Sequence, residues 1–188
     1  MQSTSAPEAT ITSSEAQHPS EPARQAGRRF VFAHPAHFIA FGFGVGLARH
    51  APGTFGTLVA FPVYYGLQQA LPGQLLLACI AVSFLLGIWV CQITGRDLGV
   101  HDHGGMVWDE IVAFMLVLYF VPQNVLWQVA AFVLFRFFDI VKPPPIRQLD
   151  RRIRNGFGVM LDDLLAAFYA LLCLAAWQHV YNWLMVTK

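Results

Sequence analysis

The chain has 188 residues, 56% of them hydrophobic and only 12% Asp, Glu, Lys or Arg, about half the charged share of soluble domains. A mean hydropathy of +0.50 excludes a disordered chain and favours a membrane protein over an ordinary soluble enzyme. The net charge of +1 leaves no basic field for nucleic acid, and the three cysteines (Cys79, Cys91, Cys173) all lie in apolar segments, so they read as reduced core residues.

Residues 1–29 are rich in Ser, Thr, Ala, Pro, Gln and Glu and contain no apolar run. They lack the core of a signal peptide, so a disordered tail is expected over 1–33, followed by one membrane domain over 34–188. Arg24, Arg28 and Arg29 precede the first apolar stretch, which favours a cytoplasmic N-terminus. That stretch, 38–47, is short and glycine-spaced. The next, 58–71, closes at Pro72-Gly73, and 75–94 returns from that turn. A second pair follows, 111–121 closing at Pro122-Gln123-Asn124 and 125–138 returning, and 164–186 ends the chain. Only 75–94 and 164–186 have the ~20 apolar residues of a spanning helix.

Charge is distributed unevenly over these elements. No carboxylate lies between 22 and 96 or after 163, and six of the twelve basic residues fall between Arg136 and Arg154. The turns at 72–73 and 122–124 carry no charge. The expected fold is therefore all-α: a polytopic membrane bundle built from helical hairpins, with its polar loops converging on the cytoplasmic face.

Three polar stretches can do chemistry. In the first, Asp97, His101, Asp102 and His103 lead to Trp108-Asp109-Glu110 at the start of an apolar helix. Carboxylates there are costly unless paired or bound to a cation. Adjacent Asp109 and Glu110 point about 100° apart on a helix, so they can flank a metal; alternatively they complement the helix dipole. The histidines lack a third N or S ligand with zinc spacing and read as loop residues. In the second stretch, Arg136, Asp139 and Lys142 follow at i,i+3 spacing, and Pro143 ends the helix at Lys142. These three form either a structural ion-pair set with a snorkelling lysine, or a carboxylate ligand beside two phosphate-holding cations.

The third stretch puts Asp162 and Asp163 just before the last apolar helix, as caps or as metal ligands. Upstream, Gly42-Phe-Gly44-Val-Gly46 runs into Ala51-Pro52-Gly53-Thr54-Phe55-Gly56-Thr57. This is no Walker loop, since no Gly-Lys-Ser/Thr follows. Its glycines allow close helix packing, or its backbone N–H groups and hydroxyls face an oxyanion. Oxygen ligands without a Cys/His set favour a hard cation such as Mg2+.

These residues resemble a family, phosphatidylglycerophosphatase A, through four ordered blocks: GFGVGLARHAPGTFGTL, GVHDHGGMVWDE, FRFFDIVKPPPIRQLDR and NGFGVMLDD. The chain departs from the usual pattern at Ala113 and Ala167, where glycine is common, and at Pro144, where tryptophan is. The resemblance implies a Mg2+-dependent phosphatase of the bacterial inner membrane, multi-pass, with its site facing the cytoplasm. Its substrate would be the lipid phosphatidylglycerophosphate. On this reading Asp109, Glu110, Asp139, Asp162 and Asp163 hold metal, with Asp97 and Asp102 as secondary candidates. Arg136 and Lys142 stabilise the transferring phosphoryl group, and Pro52, Gly53, Thr54, Gly56 and Thr57 bind its oxygens. The rival reading is a cation transporter or channel, since membrane carboxylates often mark ion paths. Oligomeric state is not legible.

Overall fold

A computed structural model describes residues 26–186, and among these every regular element is helical. The elements in order are α1 (Arg28–Val31), α2 (Pro35–Ala40), a 3-10 turn (Gly42–Leu47), α3 (Pro52–Ala70), α4 (Gly73–Leu98), α5 (Trp108–Phe120), α6 (Val125–Val141), α7 (Ile146–Arg152) and α8 (Gly156–Val186). Most of the expected tail falls on residues 1–25, outside the described part. Its last portion is not tail: Arg28–Val31 forms a helical turn whose Val31 is fully buried. His37 fastens this segment, with one ring nitrogen 3.1 Å from the Phe30 carbonyl oxygen and the other 3.0 Å from Asp97 Oδ2.

Several boundaries follow from local chemistry. α3 opens with Pro52 in its first turn, where a missing N–H costs nothing, after Ala51 in the left-handed region (φ 46°). Pro52 through Thr57 are therefore helix and not the loop expected from sequence. α4 stops where Gly99 adopts φ 74° and its N–H bonds back to Arg96 O, while Val100 N–H reaches Gly95 O. Asn124 Oδ1 accepts from Leu126 N–H and starts α6, which ends at Val141 with Pro143 two residues beyond.

α8 departs most from expectation. It begins at Gly156, eight residues before the apolar stretch, so Asp162 and Asp163 sit inside the helix and not at its cap. The caps are others: Asn155 Oδ1 accepts from Gly158 N–H at 3.0 Å, and Gln92 Oε1 on α4 accepts from Gly156 N–H at 2.8 Å.

α5 is the centre. Its residues 111–115, 117 and 118 are all 3% exposed or less, with α3, α4 and α8 packed around it and α6 laid against α8. α3 and α4 turn sharply at 72–73 yet hardly touch; α3 packs on α5, and α4 on α8. The two turns are as expected, but their arms splay to embrace a shared helix. A glycine allows one close approach: a Cβ on Gly87 of α4 would run into the Met160 thioether and sit 2.9 Å from the Trp108 ring.

The outside is apolar. Leu85 and Trp89 of α4, Val129, Val133 and Phe137 of α6, and Trp177, Val180 and Trp183 of α8 are each more than half exposed, an inversion of the soluble pattern. α4 (26 residues) and α8 are long and apolar enough to cross a membrane. At 13 residues α5 measures about 20 Å, short of the ~30 Å hydrocarbon core.

Candidate metal centre

Two helix segments, far apart in sequence, meet beside α3 and α6. The first turn of α5 brings Asp109 and Glu110, and the third turn of α8 brings Asp163. One oxygen from each lies within 4.8 Å of the other two. Asp109 and Asp163 are 7% and 3% exposed, and the Glu110 side chain is 13% exposed. The approach is set by anchors on α4: Trp108 Nε1 donates to Ser83 O at 3.0 Å, directly before Asp109, and Gln92 holds the start of α8.

The polar atoms of this cluster are short of donors. Glu110 Oε2 and Asp163 Oδ2 are buried without a hydrogen-bond partner. Asp109 Oδ1 accepts the neighbouring Glu110 N–H at 3.0 Å. Three carboxylates forced together in a dry interior repel one another and keep unsatisfied lone pairs. A hard divalent cation relieves both: ligand bonds of about 2.0–2.1 Å put opposite oxygens ~4.2 Å apart, within the spacing found here. The donor set, oxygen throughout, fits Mg2+.

The other two acids are already matched with cations. Arg136 Nη1 lies 2.7 Å from Asp139 Oδ2 and 3.6 Å from Glu110 Oε1. Neither its Nη1 nor its Nε finds a well-aligned acceptor, although both atoms are buried. Lys142, in the left-handed region at the end of α6, extends its ammonium onto Asp162 Oδ2. Asp162 Oδ1 accepts the Asp163 N–H at 3.1 Å.

α3 closes the arrangement from one side. A Cβ on Gly53 would overlap Glu110 Oε1 and come within 3.0 and 3.1 Å of the Arg136 nitrogens. The N-terminus of α3 therefore abuts both the acid cluster and the guanidinium, with Pro52 and Thr54 half-buried on the same turn. Gly56 and Thr57 serve packing here. A Cβ on Gly56 would strike Val107 at 2.8 Å, and Thr57 Oγ1 is fully buried and donates to Gly53 O at 2.9 Å.

Of the expected ligands, Asp97 is not brought to the cluster. It pairs with His37 and, at 3.5 Å, with Arg96, because it sits at the far end of α4 from the Ser83 contact. Asp102 is exposed on the loop before α5 and is not among the converging acids. His103 Nδ1 accepts the Gly105 N–H and orders that loop. Ser83, Gln92 and Trp108 went unassigned by sequence reasoning, because each acts through a contact between helices that no local pattern marks.

The family model described as phosphatidylglycerophosphatase A matches residues 38–178. A Haemophilus influenzae protein named phosphatidylglycerophosphatase A is 46% identical over 153 residues, covering 81% of this chain and 94% of that one. Its Escherichia coli namesake is 42% identical over 139 residues, covering 73% and 80%. A Bacteroides thetaiotaomicron protein named "Putative phosphatidylinositol-3-phosphatase" is 40% identical over 149 residues, covering 76% and 92%. No solved structure matches the chain. The matched residues run from α2 into α8 and take in every carboxylate of the cluster, and the chain belongs to the phosphatidylglycerophosphatase A family.

Proposed function

We propose that the chain hydrolyses the phosphomonoester of phosphatidylglycerophosphate to phosphatidylglycerol and inorganic phosphate, using Mg2+ held by Asp109, Glu110 and Asp163. The observation that carries this is the set of three buried carboxylates whose oxygens converge within 4.8 Å, two of them with an oxygen no donor satisfies. The bound cation would neutralise phosphate charge and make water acidic enough to attack.

The chain's own groups account for the rest. The P–O ester bond breaks as a water oxygen joins phosphorus, and a proton passes to the departing alkoxide. Arg136 keeps a buried Nε–H with no hydrogen-bond partner beside its Asp139 contact, a donor a phosphoryl oxygen needs as its charge builds. The first turn of α3 lies against that guanidinium, at the positive end of a 19-residue helix. Asp139 orients Arg136 through the 2.7 Å contact. Burial of the cluster keeps bulk water away from these charges and so strengthens each contact.

Purified protein in detergent micelles should release phosphate from phosphatidylglycerophosphate. It should do so faster than from phosphatidic acid or phosphatidylinositol 3-phosphate, and stop on addition of EDTA. Activity that ignores EDTA would remove the metal from the reading, and preference for the inositol lipid would reassign the substrate. The transporter alternative gains nothing from the fold: the charged side chains sit at the polar ends of α4, α5, α6 and α8, and none marks a path through the apolar lengths.

The reading extends to topology. α4 and α8 cross the bacterial inner membrane, α3, α5 and α6 pack within it, and the loops before α5 and after α6 face the cytoplasm. Single cysteines at Gly73 and Asn124, in a background without Cys79, Cys91 and Cys173, should label from the periplasm, and one at His103 only after permeabilisation. Labelling of His103 in intact cells would invert the site.

A further inference from the structure

We propose that the centre takes one divalent cation and that the ammonium of Lys142 stands where a second would bind. This rests on the metal reading above and specifies what shares the site. Two-metal phosphatases hold ions about 3.5–4 Å apart, bridged and flanked by carboxylates. Two further carboxylates lie beside the cluster, Asp139 and Asp162, the second being the chain neighbour of Asp163. Both oxygens of Asp162 are engaged, Oδ2 by Lys142 Nζ and Oδ1 by the Asp163 N–H. Asp163 Oδ2, in a residue only 3% exposed, has no partner. On this reading consecutive acids on one helix serve two cations of different kinds, a metal ion at Asp163 and the chain's own ammonium at Asp162.

Delivery of Lys142 is itself specified. The residue adopts φ 44°, ψ 67°, a backbone conformation costly for a side chain with a Cβ, and its N–H closes α6 onto Phe138 O at 2.9 Å. Pro143 then prevents the helix from continuing past it. The side chain is only 25% exposed, so its charge acts through protein more than through water. Arg136 answers Asp139 in the same way. Of the five negative charges, Arg136 and Lys142 answer two, and one divalent ion answers two more.

The test counts ions. Purified full-length protein is titrated with Mn2+, and free Mn2+ is read by electron paramagnetic resonance. Wild type and Lys142→Arg should bind one ion per chain. Lys142→Ala and Lys142→Met should bind two, and Asp162→Asn added to either should return the count to one. Turnover of Lys142→Ala should fall at least about tenfold at low Mg2+ and recover as Mg2+ is raised, because the second ion replaces the ammonium. A merely structural ion pair would show no such recovery. Two ions on the wild type, or one ion on both folded Lys142 variants, overturns the proposal. No ion on the wild type overturns the metal reading along with it.

Discussion

Asp163→Asn is expected to lower turnover by on the order of a thousandfold while raising the melting temperature measured in EDTA. Both effects have one cause. Asp163 is nearly fully buried, and its Oδ2 meets no donor, so without a cation its charge is repelled by Asp139, Asp109 and Glu110. An amide of the same shape removes that repulsion, and a buried charge without a partner is the kind whose removal stabilises. The same amide binds a hard cation far less well than a carboxylate, and losing ~4 kcal/mol of cation-dependent barrier lowering is about a thousandfold in rate. Differential scanning in detergent with and without Mg2+ gives a second reading: the wild type should gain stability from Mg2+ and the variant should not. Asp97→Asn is the control. Its carboxylate pairs with His37, so it should lose stability and keep its turnover. Full activity of Asp163→Asn at ordinary Mg2+ would take the residue out of the centre.

Arg136→Gln is expected to cost 30- to 1,000-fold in kcat/KM, as removal of a charge-assisted contact worth ~2–4 kcal/mol implies. The fold makes this harder to read than the sequence suggests, since Arg136 is 14% exposed and answers both Asp139 and Glu110. Taking away one partner of a buried pair strands the other, at roughly 3–5 kcal/mol of stability. The double variant Arg136→Gln/Asp139→Asn separates the roles. It should recover the stability lost by the single change and recover none of the rate, because no guanidinium remains for the phosphoryl group. Recovery of the rate as well would make Arg136 purely structural. Arg152→Gln, exposed on α7, should change neither.

What the sequence shows of this molecule is what local chemistry decides. α4 and the end of α6 at Pro143 can be read from apolar length and from a residue that cannot continue a helix. The acids of the centre can be read because carboxylates are rare in so apolar a chain. The early start of α8 cannot. Gly156 and Gly158 are poor helix formers, yet Gln92 of α4 accepts the Gly156 N–H and tertiary docking overrides propensity. That shift of eight residues turns Asp162 and Asp163 from caps into interior side chains, one directed at the cluster and one at Lys142. The splaying of α3 from α4 is equally invisible locally, because it reflects the pull of a third helix, α5, that buries both. A member of a converging acid cluster and an ion-pair partner look alike in one dimension; only the distances separate Asp163 from Asp162 and Asp97.

The division of the acids between α5, α6 and α8 has a consequence for how the protein is made. At about 5–20 residues per second, Asp109 and Glu110 leave the ribosome several seconds before Asp163. In that interval α5 and α6 already hold their own counter-charge, since Arg136 arrives with Asp139 and reaches Glu110. That one guanidinium answers only part of the charge of the three acids then present, Asp109, Glu110 and Asp139. The third carboxylate of the cluster, Asp163, comes only with the final helix. On the proposed reading, a chain abandoned before α8 is translated lacks one of the three metal-holding carboxylates, and the capacity to react arrives in the last act of synthesis.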